Sequence, residues 1–422
     1  MYFCIILEKR LVIKMLKFEI KKVLSKPANK IALLILAAVL FVVCYLAIEK
    51  VVYVDENGNS TYGITAARNL RKVKNQYAGY LTEDVFAEVI VKNAEINASD
   101  EYLSKDYTEN NKAYAKKQGF SDIRAILNMA FTSFQEYDYY RIDSVTADEA
   151  ARTYENRISN LTEWLNSDEI TDTFSEEKKN FLITNYKKLK TPLYYEYSDG
   201  WKTFLEYAPM ITMLTVLILG FLVSGIFSDE FRLRADSVFF SSEAGRNKAV
   251  VSKIGAGFLI VTVTYWGIML LYSAVVLGVL GTDGADCAIQ TADYGDWKSF
   301  YNITYFQDYL LTMLGGYLGS LFILTLSMFI SAKSHSTVLT VTIPFILLFI
   351  PSYLSNFSIL SKVLGLLPDQ LLQLGQAVKL FNLYQIGGTV IGGIPIIIIL
   401  YFVLYCGLLP ILYHVYRKTE LK

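Results

Sequence analysis

Six long stretches of the chain carry no Asp, Glu, Lys, Arg or His: residues 31–48, 208–227, 254–281, 309–330, 337–354 and about 390–413. A bilayer core of about 30 Å is crossed by roughly 20 apolar residues in a helix, so each run is predicted to span a membrane. The first is too long for a signal peptide, and its flank Ala47-Ile48-Glu49-Lys50 lacks a small-x-small cleavage pattern. Val43 stands where a lipid-modified Cys44 would need a small residue, which leaves Cys44 a buried thiol.

Between the first two runs lies a polar insert of 159 residues, 49–207, large enough to fold as a domain. Its pattern is mainly helical. Thr146-x-x-Glu149 and Thr173-x-x-Glu176 read as capping boxes, with Ile158, Leu161 and Leu165 at helical spacing after the first. Residues 51–54 and 60–62 flank Asn57-Gly58, where a tight turn needs positive φ, and predict a hairpin. Tyrosines crowd the insert (Tyr107, Tyr114, Tyr137, Tyr139, Tyr140, Tyr186 and Tyr195 among them) and fit either a recognition face or a helical core with hydroxyls at its rim.

Charge then orients the spans. Before residue 31 stand eight basic residues against Glu8 and Glu19, which places the N-terminus in the cytoplasm. Alternation puts the insert outside, where 20 basic face 27 acidic residues, and puts 228–253, the Lys333 turn and the C-terminal tail inside. Residues 282–308, with Asp283, Asp286, Asp293, Asp296 and Asp308 against Lys298, fall outside.

Composition agrees, with 53% hydrophobic and 19% charged residues. The formal net charge of zero gives no basic field for nucleic acid. Four scattered Cys and two His encode neither a disulfide framework nor a metal cluster. There is no Gly-x-x-x-x-Gly-Lys-Ser/Thr, His-Glu-x-x-His or Gly-x-Ser-x-Gly, so the chain is not expected to be an enzyme or to hold a cofactor. His335 and His414 read as interface residues. Ion-coupled carriers keep an ionisable group within the membrane, and its absence from the six runs argues against that class. Gly220, Gly225, Gly255, Gly257, Gly315, Gly316 and Gly319 suit close helix packing.

Three segments outside the spans are informative. Leu16, Ile20, Val23 and Leu24 line one side of a helix whose other side carries Lys17, Lys21 and Lys22, an amphipathic surface helix suited to anionic lipid. Met15 offers a second possible start. In 228–253, a short helix from Asp229 to about Phe240 would set Phe231, Ala235 and Phe239 near one face, with a break at 241–245; an ordinary basic loop is the other reading. Residues 355–388 are too apolar for a free loop, yet Pro368 and Asp369 interrupt them.

The segments Phe227-Ser-Asp-Glu230, Asp236-Ser237, Ser241-Ser242-Glu243-Ala244-Gly245-Arg246 and Lys253, with the basic helix ahead of the first span, resemble the permease subunit of type-2 ATP-binding-cassette exporters with a large outer domain. The resemblance covers about 15–422. It implies that the loop is a coupling helix whose Glu230, Arg232, Arg234, Ser242, Gly245 and Arg246 face a separate ATPase subunit, which holds ATP and Mg. It also implies that the N-terminal helix is a connecting helix on the membrane, and that 355–388 is a pair of short helices dipping into the outer leaflet; a lid on the outer domain is the alternative.

The expected fold is thus an all-α polytopic membrane protein of six transmembrane helices, with both termini cytoplasmic and a mainly helical extracellular domain. Its parts are 1–30, span 31–48, insert 49–207, span 208–227, coupling loop 228–253, and 254–422 with spans three to six and outer loops 282–308 and 355–389. The expected protein is a bacterial plasma-membrane exporter subunit. It pairs with an identical or related permease and moves a hydrophobic or amphipathic substrate such as an antimicrobial peptide, drug or lipid. A non-transporting sensor or scaffold, or an ion-coupled carrier, are the other classes.

Overall fold

The computed structural model describes residues 2–168, 170, 173–241, 246–292, 294–354 and 361–418. The chain is mainly helical, and five helices are long and apolar enough to cross a membrane. They are α2 (Pro27–Glu49), α9 (Asp199–Val223) continued by α10 (Gly225–Arg232), α11 (Lys248–Leu280), α12 (Tyr305–Ser334) and α14 (Gly393–Arg417). The run at 337–354 forms the shorter α13 (Thr337–Leu354), which contains Pro344 and Pro351. Helix α1 (Tyr2–Ser25) runs along α11 and meets α2 at Pro27, which takes a first-turn position where its missing N–H costs no hydrogen bond.

Helices α9 and α12 form the middle of the bundle. α9 packs on α2, α11 and α12, and α12 also packs on α13 and α14. Small residues permit the approach. A Cβ on Gly316 would lie 2.4 Å from the Tyr265 hydroxyl, and one on Gly257 would collide with Met328 at 1.8 Å. Two short helices, Pro368–Leu372 and Leu374–Ala377, sit against α12, where Cβ atoms at Gly315 and Gly319 would meet Leu374 and Leu372 at 2.3 and 2.4 Å.

The insert opens with the expected hairpin. β1 (Val52–Val54) pairs antiparallel with β2 (Ser60–Tyr62), and Gly58 takes φ +83° in the turn. The Asp55 carboxylate accepts from the backbone N–H groups of Asn57 and Asn59, at 2.9 and 2.8 Å. Then follow α3 (Gly63–Lys74), α4 (Glu83–Asn97), α5 (Tyr107–Lys117), α6 (Ser121–Phe131), α7 (Thr153–Leu165) and α8 (Glu176–Lys187). The Thr146/Glu149 capping box is present and opens a 3-10 turn, Ala147–Arg152, ahead of α7. The second predicted box is not: α8 starts at Glu176 with Ser175 in the N-cap position, so Thr173 lies before the helix.

The insert does not close on its own residues. One of its cores gathers Phe86, Phe120, Ile123 and Tyr195 around Trp297. Another gathers Phe134, Leu161, Leu182 and Tyr186 around Phe300 and Leu383. Trp297 and Phe300 come from the loop after α11. Leu383 belongs to the hairpin of β5 (Leu383–Ile386) and β6 (Thr389–Gly392), numbered after β3 (Gly79–Tyr80) and β4 (Tyr194–Tyr195), which also pair. That hairpin replaces the predicted start of the last span near 390, because Gly387 and Gly388 take φ +57° and +83° and turn the chain back. Thus 361–392 supplies both short helices on the bundle and a strand pair on the insert. The tyrosines divide likewise: Tyr186, Tyr195 and Tyr197 are buried, while Tyr107, Tyr137, Tyr139 and Tyr140 are exposed.

The insert and the bundle meet tightly at the start of α9. A Cβ on Gly200 would lie 2.1 Å from the carbonyl oxygen of Gly281, the residue that ends α11 at φ +105°. Backbone cannot retreat as a flexible side chain can. Gly200→Ala is therefore expected to destabilise the protein by about 1–3 kcal/mol, the scale of overpacking. Thermal unfolding in detergent, followed by intrinsic fluorescence, checks this, and an unchanged midpoint would count against the close approach.

Candidate functional site

At the bundle end remote from the insert, charged side chains from α1, α10, α11 and the junction between α1 and α2 converge. Lys253 of α11 is fully buried, with its Nζ 2.6 Å from the Glu230 carboxylate, 3.2 Å from Glu19 and 2.9 Å from the Ile226 carbonyl. Lys22 of α1 donates to the same Glu230 carboxylate at 2.7 Å. Burial alone would lower the Lys22 pKa, but the hydrogen bond to Glu230 and the nearby charges of Glu19 and Asp229 outweigh it and raise it. Asp229 bonds Lys26 and accepts from Arg232 at 3.0 Å. Asn29 ties α2 in by donating to the Val23 and Leu222 carbonyls at 2.8 and 3.2 Å.

Local sequence explains the convergence. Asp229-Glu230 ends the apolar run of α9 and α10, so both carboxylates reach the level where the basic face of α1 crosses. The first acid takes Lys26 and the second takes Lys22 and Lys253. Buried charges are tolerated when paired in this way. Ser228 and Ser331 add a link to α12, with the Ser228 N–H donating to Ser331 Oγ at 3.1 Å.

Above this network the chain turns sharply. The single helix expected from Asp229 to Phe240 is two: α10 stops at Arg232, Arg234 takes φ +55°, and a second short helix runs Asp236–Ser241. The break is made by packing. Phe231 stacks on the His335 ring at 3.5 Å and Phe240 lies 5.2 Å from the Tyr416 ring, so the second helix folds back where a straight one would leave the bundle. The turn exposes Arg232, Leu233 and Arg234, Leu233 being 63% exposed.

The residues expected to face an ATPase therefore divide. Arg232 and Arg234 are at the surface. Glu230 is turned inward and 7% exposed, because Lys253 and Lys22 hold it. Arg246 is half-buried, donating to the Phe240 carbonyl at 2.8 Å and the Arg417 carbonyl at 3.1 Å, which staples the loop to the end of α14. Ser242 and Gly245 lie outside the described residues. On the amphipathic helix, Lys17 and Lys21 are exposed, whereas Lys22 belongs to the network and not to a lipid-facing surface. Sequence reasoning quoted Asp229 within the acidic motif without giving it a role, and did not bring Lys26, Glu19 or Asn29 to the site. The available signal was the pairing of an acidic dipeptide after a long apolar run with a basic helix before another.

Among the described residues no group of His, Cys, Asp or Glu is placed to hold a metal ion. The free cysteines Cys44 and Cys287 are buried and Cys406 is exposed. No family model, curated protein or solved structure matches the chain.

Proposed function

We propose that the chain is the membrane-spanning permease subunit of a type-2 ATP-binding-cassette exporter in a bacterial plasma membrane. It has six spans, α13 included, with termini in the cytoplasm and the insert outside. The observation that carries this reading is the turn at Arg232, Leu233 and Arg234. Two charges and an apolar side chain stand outward on a corner braced below by the Lys253 network and above by Phe240 and Arg246. Such a corner, held by bonds on both sides, is suited to transmit a push. Lys17, Lys21 and exposed Phe18 on α1 suit the surface of an anionic leaflet, whose attraction is about 1 kcal/mol per basic residue. The partners are a separate ATPase subunit, which binds ATP and Mg, and a second permease, identical or related. Apolar walls on the bundle suit a hydrophobic or amphipathic substrate such as an antimicrobial peptide, drug or lipid.

Arg234→Glu tests this more cleanly than Arg246→Glu, which would also break the bonds to the Phe240 and Arg417 carbonyls. The expected result is unchanged membrane insertion with ATPase binding weakened by a few kcal/mol, on the scale of an interface charge pair. Copurification after mild detergent extraction reads it. Equal recovery of an ATPase with wild type and variant, or recovery of none with either, would turn the assignment toward a sensor or scaffold that uses the insert as receptor.

A further inference from the structure

A cavity of about 420 Å³ lies between the insert and the adjoining end of the bundle. Small-molecule sites fall at about 300–1,000 Å³, so it is large enough for an organic ligand. Its charged lining cancels in pairs, with one exception. Lys50 bonds Glu206, Lys202 lies 2.9 Å from Asp122, and Lys379 lies 3.0 Å from Asp296. That leaves Asp308, in the first turn of α12.

Asp308 is 2% exposed and its Oδ1 has no hydrogen-bond partner. Gly375 keeps the space beside it open: a Cβ there would stand 3.6 Å from that oxygen and 2.9 Å from Thr312 Oγ1, which is also unpartnered. A buried carboxyl oxygen without a hydrogen-bond partner is costly, and a ligand that donates to it recovers that cost. Leu205, Ile289 and Ala292 supply apolar wall nearby.

We infer that this cavity binds an organic cation with an alkyl body, whose primary ammonium donates to Asp308. The lining carries one more carboxyl group than lysines, and Asp308 is the one that makes no ion pair, which suits a ligand with a single ammonium. The volume exceeds what a bare ion needs, and no multi-carboxylate metal cage is present among the described residues. The ammonium comes either from a free amine or from the head of an aminophospholipid. The inference does not rest on the exporter reading, since it concerns binding with no ATPase present.

The test uses the full chain in phosphatidylcholine nanodiscs, titrated calorimetrically with n-hexylamine and with 1-hexanol, empty nanodiscs being the blank. Saturable binding of hexylamine and not hexanol is expected. Asp308→Asn should weaken it at least tenfold, and Lys379→Gln, which leaves Asp296 without its lysine, should tighten it severalfold. Adding phosphatidylethanolamine distinguishes the sources: competition assigns the site to the lipid head, and its absence assigns it to free amines. No saturable hexylamine binding, equal binding of hexanol, or undiminished binding by Asp308→Asn overturns the inference. Should Asp308→Asn not fold, Lys379→Gln decides: tightening supports the site and unchanged affinity overturns it.

Discussion

Lys253→Met is expected to cost about 3–5 kcal/mol of stability, the scale for removing one partner of a buried ion pair. Methionine nearly matches the lysine stem, so the lost volume is small and the loss is electrostatic. Without Lys253, Glu230 keeps only Lys22 at 2.7 Å, and Glu19 loses a cation 3.2 Å away while remaining buried. The Ile226 carbonyl loses its donor as well. Adding Glu19→Gln and Glu230→Gln to the variant should restore most of the loss, because neutral amides need no counter-charge. Thermal unfolding of the three proteins in one detergent checks this. Equal midpoints for wild type and Lys253→Met would show that the network contributes nothing, and the triple variant separates charge from packing.

The same network shows where the sequence was legible. Uncharged runs located every long apolar helix, because a bilayer imposes a length requirement that no soluble fold does. They did not locate the ends. α11 begins at Lys248, ahead of the run at 254, because Lys253 finds two carboxylates across the bundle and can be buried within the helix. α12 begins at Tyr305, capped by Thr304 and Gln307, which carries Asp308 into the helix and away from the loop that composition assigned it to. The hairpin at Asp55–Asn59 was readable because its turn is satisfied by its own side chains. The hairpin at 383–392 was hidden inside an apolar run, and only Gly387-Gly388 marked it.

The least legible features were those built from distant segments. Nothing local in the sequence says that Trp297, Phe300 and Leu383 complete the cores of an insert that ends near residue 198. Arg157 shows how firm the closure is. It is 3% exposed and donates to the Trp297 and Ser299 carbonyls at 3.0 and 2.8 Å, with its guanidinium 3.9 Å from the Tyr186 ring centre. The inward turn of Glu230 was equally invisible, since an acidic residue after a span reads as exposed until a buried lysine is found opposite it.

A second cluster, at the other end of α9, carries the remaining large effect. Lys74 of α3 is 5% exposed, with its Nζ 2.7 Å from Asp199 and 3.1 Å from Asp122, while Lys202 lies 2.9 Å from Asp122. Two cations and two carboxylates thus dock the insert on the bundle. Burial pulls the Lys74 pKa down, but Asp122 and Asp199 outweigh it and raise it; burial pushes Asp122 up, but Lys202 and Lys74 hold it well below the carboxylate range. The raised lysine contributes stability present below its unfolded pKa of about 10.4 and lost as pH rises through its higher folded value. The depressed aspartate contributes stability present above about 3.9 and lost as pH falls through its lower folded value. Docking should therefore be flat across neutral pH. Lys74→Met leaves two buried carboxylates sharing Lys202, at an expected cost of about 3–5 kcal/mol at pH 7. One of the two can then escape by taking a proton, so the gap between wild type and variant should narrow as pH falls from 7 towards about 4. Unfolding midpoints measured across that range decide the matter, since a simple packing defect would give a gap that does not move with pH.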